Sequence, residues 1–205
     1  HKLFKQDFER IGKGSIGLDL PTWFNIEKDN PRIMLIFQDP LRGKYYQECK
    51  DAVLSSPFGL QDATHRSRKN GGKMANELVR RLTNNGYAVY LTDARKYFIG
   101  DHQTSDAYSL VFTKTYTDIL AKEISIVKPN LCVCFGNRAN SIMDDVTTEY
   151  PELLIPFIKL PHLSGTARGT IKNQFKILDM IGGATADNIA EVYAKEIISR
   201  IELLK

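Results

Sequence analysis

The sequence predicts an α/β fold: a three-layer α/β/α sandwich in which a parallel sheet of about four strands lies between two layers of helices. Short apolar runs alternate along the chain with segments whose apolar residues recur at helical spacing. Such alternation is typical of parallel sheets with right-handed crossovers. The expected strands cover residues 33–37, 87–91, 131–135 and 155–160. A polar side chain follows each run within two residues, which places polar groups at the strand ends.

The first run, residues 33–37, is the one around which the expected sheet is organised. Five consecutive apolar residues are typical of a strand buried on both faces, and Pro40 cannot continue a ladder of hydrogen bonds. Gln38 and Asp39 therefore fall at the carboxyl end of a central strand, where open α/β sheets bind ligands. An Asp before a proline is also a common turn residue, so this stretch alone leaves both interpretations of Asp39 open.

The chain has the length of one ordinary domain, and we expect a single domain over residues 1–205. Residues 1–31 are expected to form an irregular lead-in, 45–54 a short helix and 95–108 a polar loop. Helical spacing predicts helices around residues 74–82, 112–124 and 171–178, and from about 187 onwards. The proline within the last expected strand predicts an edge position for that strand.

The composition limits which cellular environments and which binding partners are expected for the protein. No apolar run is long enough to cross a bilayer, and a net charge of +4 permits a polyanionic partner without requiring one. Three cysteines, an odd number, do not indicate a disulfide framework. Cys132 and Cys134 alternate within an apolar strand and are expected to be buried free thiols. We therefore expect a cytoplasmic protein without a metal site.

Polar groups at four strand ends form the candidate site. They are Gln38-Asp39, Thr92-Asp93, Gly136-Asn137 and His162 with Ser164. The carboxyl ends of parallel strands share one edge of a sheet, so carboxylates and an imidazole are expected to converge there. A basic, glycine-rich run over residues 65–73 follows the first strand. It has two interpretations, a phosphate contact beside the site or a solvated loop.

These stretches, in this order, resemble the motifs of the uracil-DNA glycosylase superfamily across about residues 32–175. Phe37-Gln38-Asp39-Pro40-Leu41 is similar to the first motif, Gly-Gln-Asp-Pro-Tyr, and residues 89–96 resemble a strand that ends in a base-reading Asn. Residues 120–124 and 134–139 resemble the middle signature. Leu160-Pro161-His162-Leu163-Ser164-Gly165 resembles the last motif, a strand followed by His-Pro-Ser. Four short motifs in order make the resemblance fairly specific.

The resemblance implies a monofunctional DNA glycosylase-type enzyme that hydrolyses the N-glycosidic bond of a flipped-out base, either uracil or another deaminated or modified base. By resemblance, Asp39 stabilises positive charge on the sugar and orients water, and His162 donates a hydrogen bond to the departing base. Phe58 would stack the base, with Gln38 and Asp93 reading or positioning it. The candidates for contact with the DNA backbone are Ser56, Arg66, Arg68, Lys69, Ser164 and Arg168.

Several departures from the family pattern bear on specificity. Asp93 stands where the family usually has Asn, and an ionised Asp only accepts hydrogen bonds, so it would suit a base with an exocyclic amine or would need to be protonated. Leu41 replaces a Tyr that in many members blocks the thymine methyl. Leu163 and Thr166 occupy the proline and wedge positions, which favours single-stranded or open DNA. The iron–sulfur branch needs four cysteines, so neither a cluster nor another cofactor is expected.

Alternative interpretations remain for the function and for single residues. The chain could be a non-catalytic DNA-binding or protein-interaction module, or a hydrolase of free nucleosides or nucleotides. Asp93 could cap a helix or pair with Arg95 or Lys96 instead of reading a base. Phe58 could belong to the ordinary core, and His162 could be a satisfied loop histidine.

Overall fold

The computed structural model describes residues 16–27, 29–40, 53–67, 71–99 and 105–204. Its strands are β1 (Ile16–Asp19), β2 (Thr22–Phe24), β3 (Arg32–Phe37), β4 (Val53–Ser55), β5 (Ala88–Asp93), β6 (Tyr97–Ile99), β7 (Leu131–Phe135) and β8 (Phe157–Leu160). Five of them form the central sheet in the order β2-β5-β3-β7-β8. The strands β5, β3, β7 and β8 run parallel, which confirms the predicted parallel sheet of about four strands.

The strand β3 lies at the centre of this sheet, as its apolar run predicts. It pairs in parallel with β5 on one side and β7 on the other, and none of residues 33–37 is more than 1% exposed. Full burial on both faces explains why the sequence shows no polar alternation here. The strand β8 pairs only with β7 among the described strands, which confirms its predicted edge position.

The prediction of an irregular lead-in over residues 1–31 is wrong where the structure describes it. The strand β2 adds to the central sheet as an antiparallel edge next to β5, with Trp23 opposite Tyr90. The strand β1 belongs to a separate small sheet. Both strands have only three or four residues, too few for an alternating pattern to stand out in the sequence. Residues 1–15 lie outside the described part of the chain.

A second, smaller sheet has three strands in the order β4-β1-β6. The strand β1 pairs in parallel with β4 and antiparallel with β6. This sheet corrects two predictions. The end of the expected helix over 45–54 is the strand β4, the rest of that segment lying outside the described residues, and the expected polar loop over 95–108 contains the strand β6 and the start of a helix.

Helices cover both faces of the central sheet. They are α1 (Ala63–Ser67), α2 (Gly71–Asn84), α3 (Ser105–Val127), α4 (Asn137–Glu149), α5 (Arg168–Gln174), α6 (Ile177–Met180) and α7 (Ala186–Glu202). The predicted helices over 74–82 and 112–124 and from 187 are confirmed. The segment 171–178, predicted as one helix, is divided between α5 and α6, since Phe175 leaves helical geometry with φ −114° and ψ 76°.

Alternate residues of β3 pack into two separate cores. Ile33, Leu35 and Phe37 join one core with residues of α2 and α7, whereas Met34 and Ile36 join the other with residues of α3 and α4. This two-residue alternation gives the predicted α/β/α layering. Cys132 and Cys134 are buried and free, as predicted. Among the described helices, none has the length and apolarity needed to cross a membrane.

Candidate active site

The carboxyl ends of the central strands are held together by backbone hydrogen bonds. Asp93 lies opposite Phe37 in the parallel ladder between β5 and β3. The amide of Ala94 donates to the carbonyl of Phe37 over 2.7 Å, and that of Arg95 donates to the carbonyl of Gln38 over 3.0 Å. These bonds continue the pairing past the last strand residues, so the segments that carry Asp39 and Asp93 leave the sheet side by side.

Asp39 forms an ion pair with Arg138 at the start of α4. The guanidinium Nη1 of Arg138 donates to Oδ2 of Asp39 over 2.6 Å. The Asp39 side chain is 16% exposed, and that of Arg138 is 37% exposed. A charge-assisted bond of this length fixes the carboxylate, while solvent can still reach the pair. Asp39 therefore does more than form a turn before Pro40.

Gly136 allows the ends of β3, β7 and β8 to approach one another closely. Its φ is +85°, and a Cβ at this position would lie 2.8 Å from the Gln38 side chain and 3.1 Å from Cβ of His162. The backbone amide of Arg138 donates to Oε1 of Gln38 over 3.3 Å. Gln38 therefore links the first strand end to the start of α4, and only a glycine suits both the backbone and the space at position 136.

Phe58 and His162 form an aromatic wall next to these strand ends. Their rings stack with centroids 5.7 Å apart and an interplanar angle of 27°, and the edge of Phe58 contacts Phe37 at 4.7 Å. The backbone of Phe58 has φ 58° and ψ 10°, a left-handed conformation that costs a non-glycine residue about 1–3 kcal/mol. Such strained residues cluster at ligand sites, and Phe58 also packs against the hydrophobic core, so its stacking role stays a prediction.

Burial lowers the pKa of His162 below its ordinary value, and the negative charge of Asp39 opposes this shift in part. At neutral pH the imidazole is therefore neutral, with one N–H donor and one acceptor nitrogen. A neutral imidazole still donates a hydrogen bond to a group that becomes negative.

Asp93 has surroundings opposite to those of Asp39. It is 2% exposed, and burial raises its pKa well above the ordinary value, with further increases from the carboxylates of Asp19 and Asp39. Within the described residues no N–H or hydroxyl group donates to Oδ2 of Asp93. The surroundings of Asp93 therefore favour its protonated form more than solvent does.

The predicted alternative of an ion pair between Asp93 and Lys96 is not what the structure shows. The Lys96 ammonium donates to Glu123 Oε2 and to Thr92 Oγ1, each over 2.7 Å. Burial lowers the pKa of Lys96, and its pairing with Glu123 opposes this shift. The positive charge of Lys96 lowers the pKa of Asp93, but burial and the negative charge of Asp19 raise this pKa by more. Lys96 therefore stabilises the face of β5 opposite to Asp93.

The predicted contacts to the DNA backbone differ in their surroundings. Ser56 is 5% exposed, and its hydroxyl donates to Gln61 Oε1 over 2.6 Å, which argues against the predicted phosphate contact. Arg66 donates to the carbonyl of Leu60 over 2.7 Å and is half-buried. Ser164 and Arg168 are also half-buried, on the loop and helix after His162. Arg68, Lys69 and Leu41 lie outside the described residues.

Sequence reasoning missed Arg138 and Asp19. A signal for Arg138 exists, because a cation three residues past the end of β7 is placed at the carboxyl edge by the parallel topology. No sequence signal exists for Asp19, which belongs to a four-residue strand in a separate sheet. In the described ranges no group of three or more His, Cys, Asp and Glu side chains is arranged to hold a metal ion.

A carboxyl group, an imidazole and an aromatic ring lie near the carboxyl edge of a parallel sheet in an α/β/α protein. Residues 24–181 match the Uracil DNA glycosylase superfamily, and the chain belongs to that superfamily. Membership indicates a DNA glycosylase-type function. No curated protein matches the chain.

Proposed function

We propose that the protein is a monofunctional DNA glycosylase that hydrolyses the N-glycosidic bond of a base flipped out of DNA. The observation that carries this proposal is the placement of Asp39 and His162 at one sheet edge. Asp39 is held by Arg138 at 2.6 Å, and His162 is kept neutral and stacked on Phe58. A flipped base needs a ring to stack on and donors to hold it, and this wall offers both.

In the proposed reaction the bond between sugar C1′ and the base nitrogen breaks, and its electron pair leaves with the base. Positive charge then develops on the sugar, where the Asp39 carboxylate stabilises it. The His162 N–H donates a hydrogen bond to the base as it becomes negative. A water held by Asp39 attacks C1′ and leaves its hydroxyl on the sugar, and the proton that the water releases ends on the base anion. The products are a free base and an abasic site, with no cofactor.

Arg138 has a positioning role in this proposal. It engages Oδ2 of Asp39, which limits rotation of the carboxylate and leaves Oδ1 as the oxygen that would hold the attacking water. Arg138 also offers a positive charge at the start of α4 next to a site that binds a phosphate backbone. The basic run with Arg68 and Lys69, and Arg168 after the His162 loop, are the proposed DNA contacts, and single-stranded DNA is the favoured form.

The same ion pair also favours a second candidate, a DNA-binding or interaction module without catalysis. Arg138 offsets part of the negative charge that Asp39 would direct at the sugar. If the pair persists when DNA binds, the fold would hold DNA without cleaving the glycosidic bond.

An excision assay separates the two candidates. Single- and double-stranded oligonucleotides carrying uracil, cytosine, hypoxanthine, xanthine or thymine are incubated with the protein, and abasic sites are then cleaved. We expect excision from at least one substrate and a loss of about 10²–10³-fold in Asp39→Asn, the range for removing one electrostatic stabiliser. Asp144→Asn is the matched control, because Asp144 is an ion-paired aspartate away from the site, with its carboxylate bonded to Lys159 at 2.7 Å.

Two outcomes contradict the proposal. Wild-type protein that binds the oligonucleotides but yields no abasic site from any of them supports the non-catalytic module. Equal rates for wild type and Asp39→Asn would remove Asp39 from the reaction even if excision occurs.

A further inference from the structure

The loop that carries Phe58, residues 56–61, is closed on itself by Gln61. The side-chain Oε1 of Gln61 accepts one hydrogen bond from the backbone amide of Ser56 over 3.1 Å and another from its hydroxyl over 2.6 Å. The backbone amide of Gln61 donates to the Ser56 hydroxyl over 3.2 Å, and its Nε2 donates to Oγ of Ser55 over 2.9 Å. Several hydrogen bonds of one residue therefore join the two ends of the loop.

The donors and acceptors of these residues favour a carboxamide at position 61. A backbone N–H only donates, so the Gln61 atom that faces the amide of Ser56 is the carbonyl oxygen. The NH₂ group then lies towards Ser55, whose hydroxyl oxygen accepts from it. Ser56 is 5% exposed, and a buried donor that loses its partner is costly. An apolar side chain at position 61 would therefore remove bonds that the start of the loop needs.

The loop needs this closure because its backbone is left-handed at two consecutive residues. Phe58 has φ 58° and Gly59 has φ 65°, and a residue with a Cβ such as Phe rarely adopts this region. Such a conformation persists only where the surrounding contacts determine it. The amide of Gly59 donates to the carbonyl of Ser56 over 2.8 Å, inside the ring of bonds that Gln61 completes. The hydrogen bonds of Gln61 therefore help to hold the backbone from which the Phe58 ring projects.

The ring of Phe58 is the part of the loop that faces the candidate site. Its edge contacts Phe37 at 4.7 Å, and it stacks with His162 at 5.7 Å. Gly71 packs so closely that an added Cβ would lie 2.5 Å from Cε1 of the ring. Gln61 itself is exposed, so it supports the loop through hydrogen bonds and not through core packing. A substitution at position 61 therefore changes the support of the ring without removing core volume.

We propose that Gln61 is a positioning residue for base binding: by closing the loop onto Ser56, it holds the Phe58 ring in its stacking position before DNA binds. A ring that is already in place loses little conformational freedom when a base stacks on it, which strengthens binding. This inference rests on the function proposed above, in which Phe58 stacks the flipped base. Gln61 acts through Phe58 and not by contact with the base.

The first test is steady-state excision of uracil from a single-stranded oligonucleotide by wild type and Gln61→Ala. We expect KM to rise about tenfold in the variant, within the range for loss of a stacked base. The value of kcat should change less than about twofold, because stacking supports the bound substrate and the transition state alike. A variant that only lowers the folded fraction would instead lower the apparent kcat and leave KM unchanged.

Ser67→Ala is the matched control for this experiment. The Ser67 hydroxyl donates to the carbonyl of Thr64 over 3.0 Å in α1, just after the Phe58 loop. Its loss removes an exposed hydrogen bond of the same segment but none of the bonds that close the loop. We expect both KM and kcat of Ser67→Ala to stay at the wild-type values.

The second test measures binding without excision, in protein that carries Asp39→Asn. The affinity for the uracil oligonucleotide is compared with that for the same oligonucleotide with an abasic site in place of uracil. We expect Gln61→Ala to lose about tenfold of the preference for uracil, because only the uracil oligonucleotide has a base to stack. In protein that also carries Phe58→Leu, Gln61→Ala should have no further effect on this preference, because the ring on which it acts is gone.

Gln61→Glu is the conservative variant for the same measurement. A carboxylate keeps the acceptors that face Ser56, and the Ser55 hydroxyl can donate to its second oxygen. The added negative charge weakens binding of both oligonucleotides alike, so their ratio is unaffected by it. We therefore expect Gln61→Glu to retain the preference for uracil that Gln61→Ala loses.

The outcomes separate this inference from the proposed function. If wild type excises uracil but Gln61→Ala keeps the wild-type KM, or lowers the uracil preference equally with and without Phe58→Leu, the inference is overturned and the glycosylase proposal stands. If wild type excises no base from any oligonucleotide, the proposed function fails. The ratio of the two affinities then still decides whether Gln61 holds Phe58 for stacking: an unchanged ratio in Gln61→Ala overturns the inference as well.

Discussion

Two aspartates leave the same edge of the central sheet on neighbouring strands, and their surroundings are opposite. Asp39 faces a guanidinium at 2.6 Å and remains 16% exposed. Asp93 is 2% exposed and faces a second carboxyl group, and its pKa is raised by burial first and by Asp19 next. One side chain type thus lies in an ion pair at one strand end and in buried surroundings that raise its pKa at the other.

The difference shows that neighbouring side chains, more than residue type, decide what a carboxyl group can do. Environments that separate the pKa values of two acids allow one to act as an anion and the other as a hydrogen-bond donor. In this chain Arg138 pairs with Asp39, whereas burial first and the charge of Asp19 next raise the pKa of Asp93. Three sets of variants change, in turn, Asp93, the packing of Phe58 on the Asp39 side and the ion pair of Asp39.

The largest effect is expected for Asp93→Asn on stability at neutral and alkaline pH. A raised pKa means that the folded protein holds a proton that the unfolded chain has already lost. The stability of wild type therefore falls as pH rises from the ordinary Asp range up to the raised pKa, by up to about 1.4 kcal/mol per pH unit for one proton. Asp93→Asn lacks this fall. Urea unfolding at a series of pH values measures the difference between the two proteins.

Asp39→Asn is the matched comparison for that experiment, because Asp39 lies on the next strand and keeps a cation. The comparison separates the loss of the Asp93 carboxyl from a general effect of replacing an aspartate at this sheet edge. A wild-type stability that is flat with pH, or an Asp93→Asn curve that runs parallel to it, would contradict the raised pKa of Asp93.

An intermediate effect is expected for Gly71→Ala, which alters the aromatic wall on the Asp39 side. A Cβ at Gly71 would lie 2.5 Å from Cε1 of Phe58 and closer still to the carbonyl oxygen of Leu163. Overpacking of this kind costs about 1–3 kcal/mol, and it displaces the loops that hold Phe58 and His162. We expect lower stability and weaker DNA binding, measured by unfolding and by titration with an oligonucleotide.

Gly169→Ala is the control for this variant. Gly169 also lies in the first turn of a helix, but a Cβ there would meet nothing within 4 Å, so alanine should stabilise the helix by roughly 0.5–1 kcal/mol. Gly71→Ala should therefore lower the free energy of unfolding, and Gly169→Ala should raise it. Equal effects would mean that the contact of Gly71 with Phe58 and Leu163 does not constrain the site. The alkaline loss of stability due to Asp93 should persist in both.

The smallest effect is expected for the ion pair of Asp39 with Arg138. Arg138 is 37% exposed, so solvent screens the pair, and its coupling should be about 1 kcal/mol or less. A double-mutant cycle of unfolding free energies with Asp39→Asn and Arg138→Gln measures this coupling, which should weaken as salt is added. A salt-insensitive coupling of several kcal/mol would mean that Asp39 is as desolvated as Asp93, and the contrast between them would disappear.

The layers of the fold could be predicted because the central strands carry continuous apolar runs. The apolar run of residues 33–37 indicates a strand that is buried on both faces. The parallel topology then places Asp39 and His162 at the carboxyl ends of their strands. The predicted site residues Gln38, Asp39, Phe58, Asp93 and His162 do lie near the same strand ends. Their proposed roles remain predictions until excision is measured.

The rest could not be predicted because it depends on contacts between distant parts of the chain. Arg138 meets Asp39 across 99 residues, and no local pattern pairs them. The strands β1 and β2 are too short to show a period, so Asp19 could not be connected to Asp93. The sequence predicts Ser56 as a phosphate contact, yet in the folded loop its hydroxyl donates to Gln61 five residues later. In each case a contact that forms only in the folded chain decides the role of the side chain.

The central position of β3 has a kinetic consequence. Both of its neighbours in the sheet, β5 and β7, follow much later in the chain, and Gln38 meets Arg138 across 100 residues. Such long-range closures are costly in entropy and slow folding. After dilution from denaturant, oligonucleotide binding should therefore recover more slowly than the helical circular dichroism signal. The delay between the two signals would measure how long the parallel sheet takes to form.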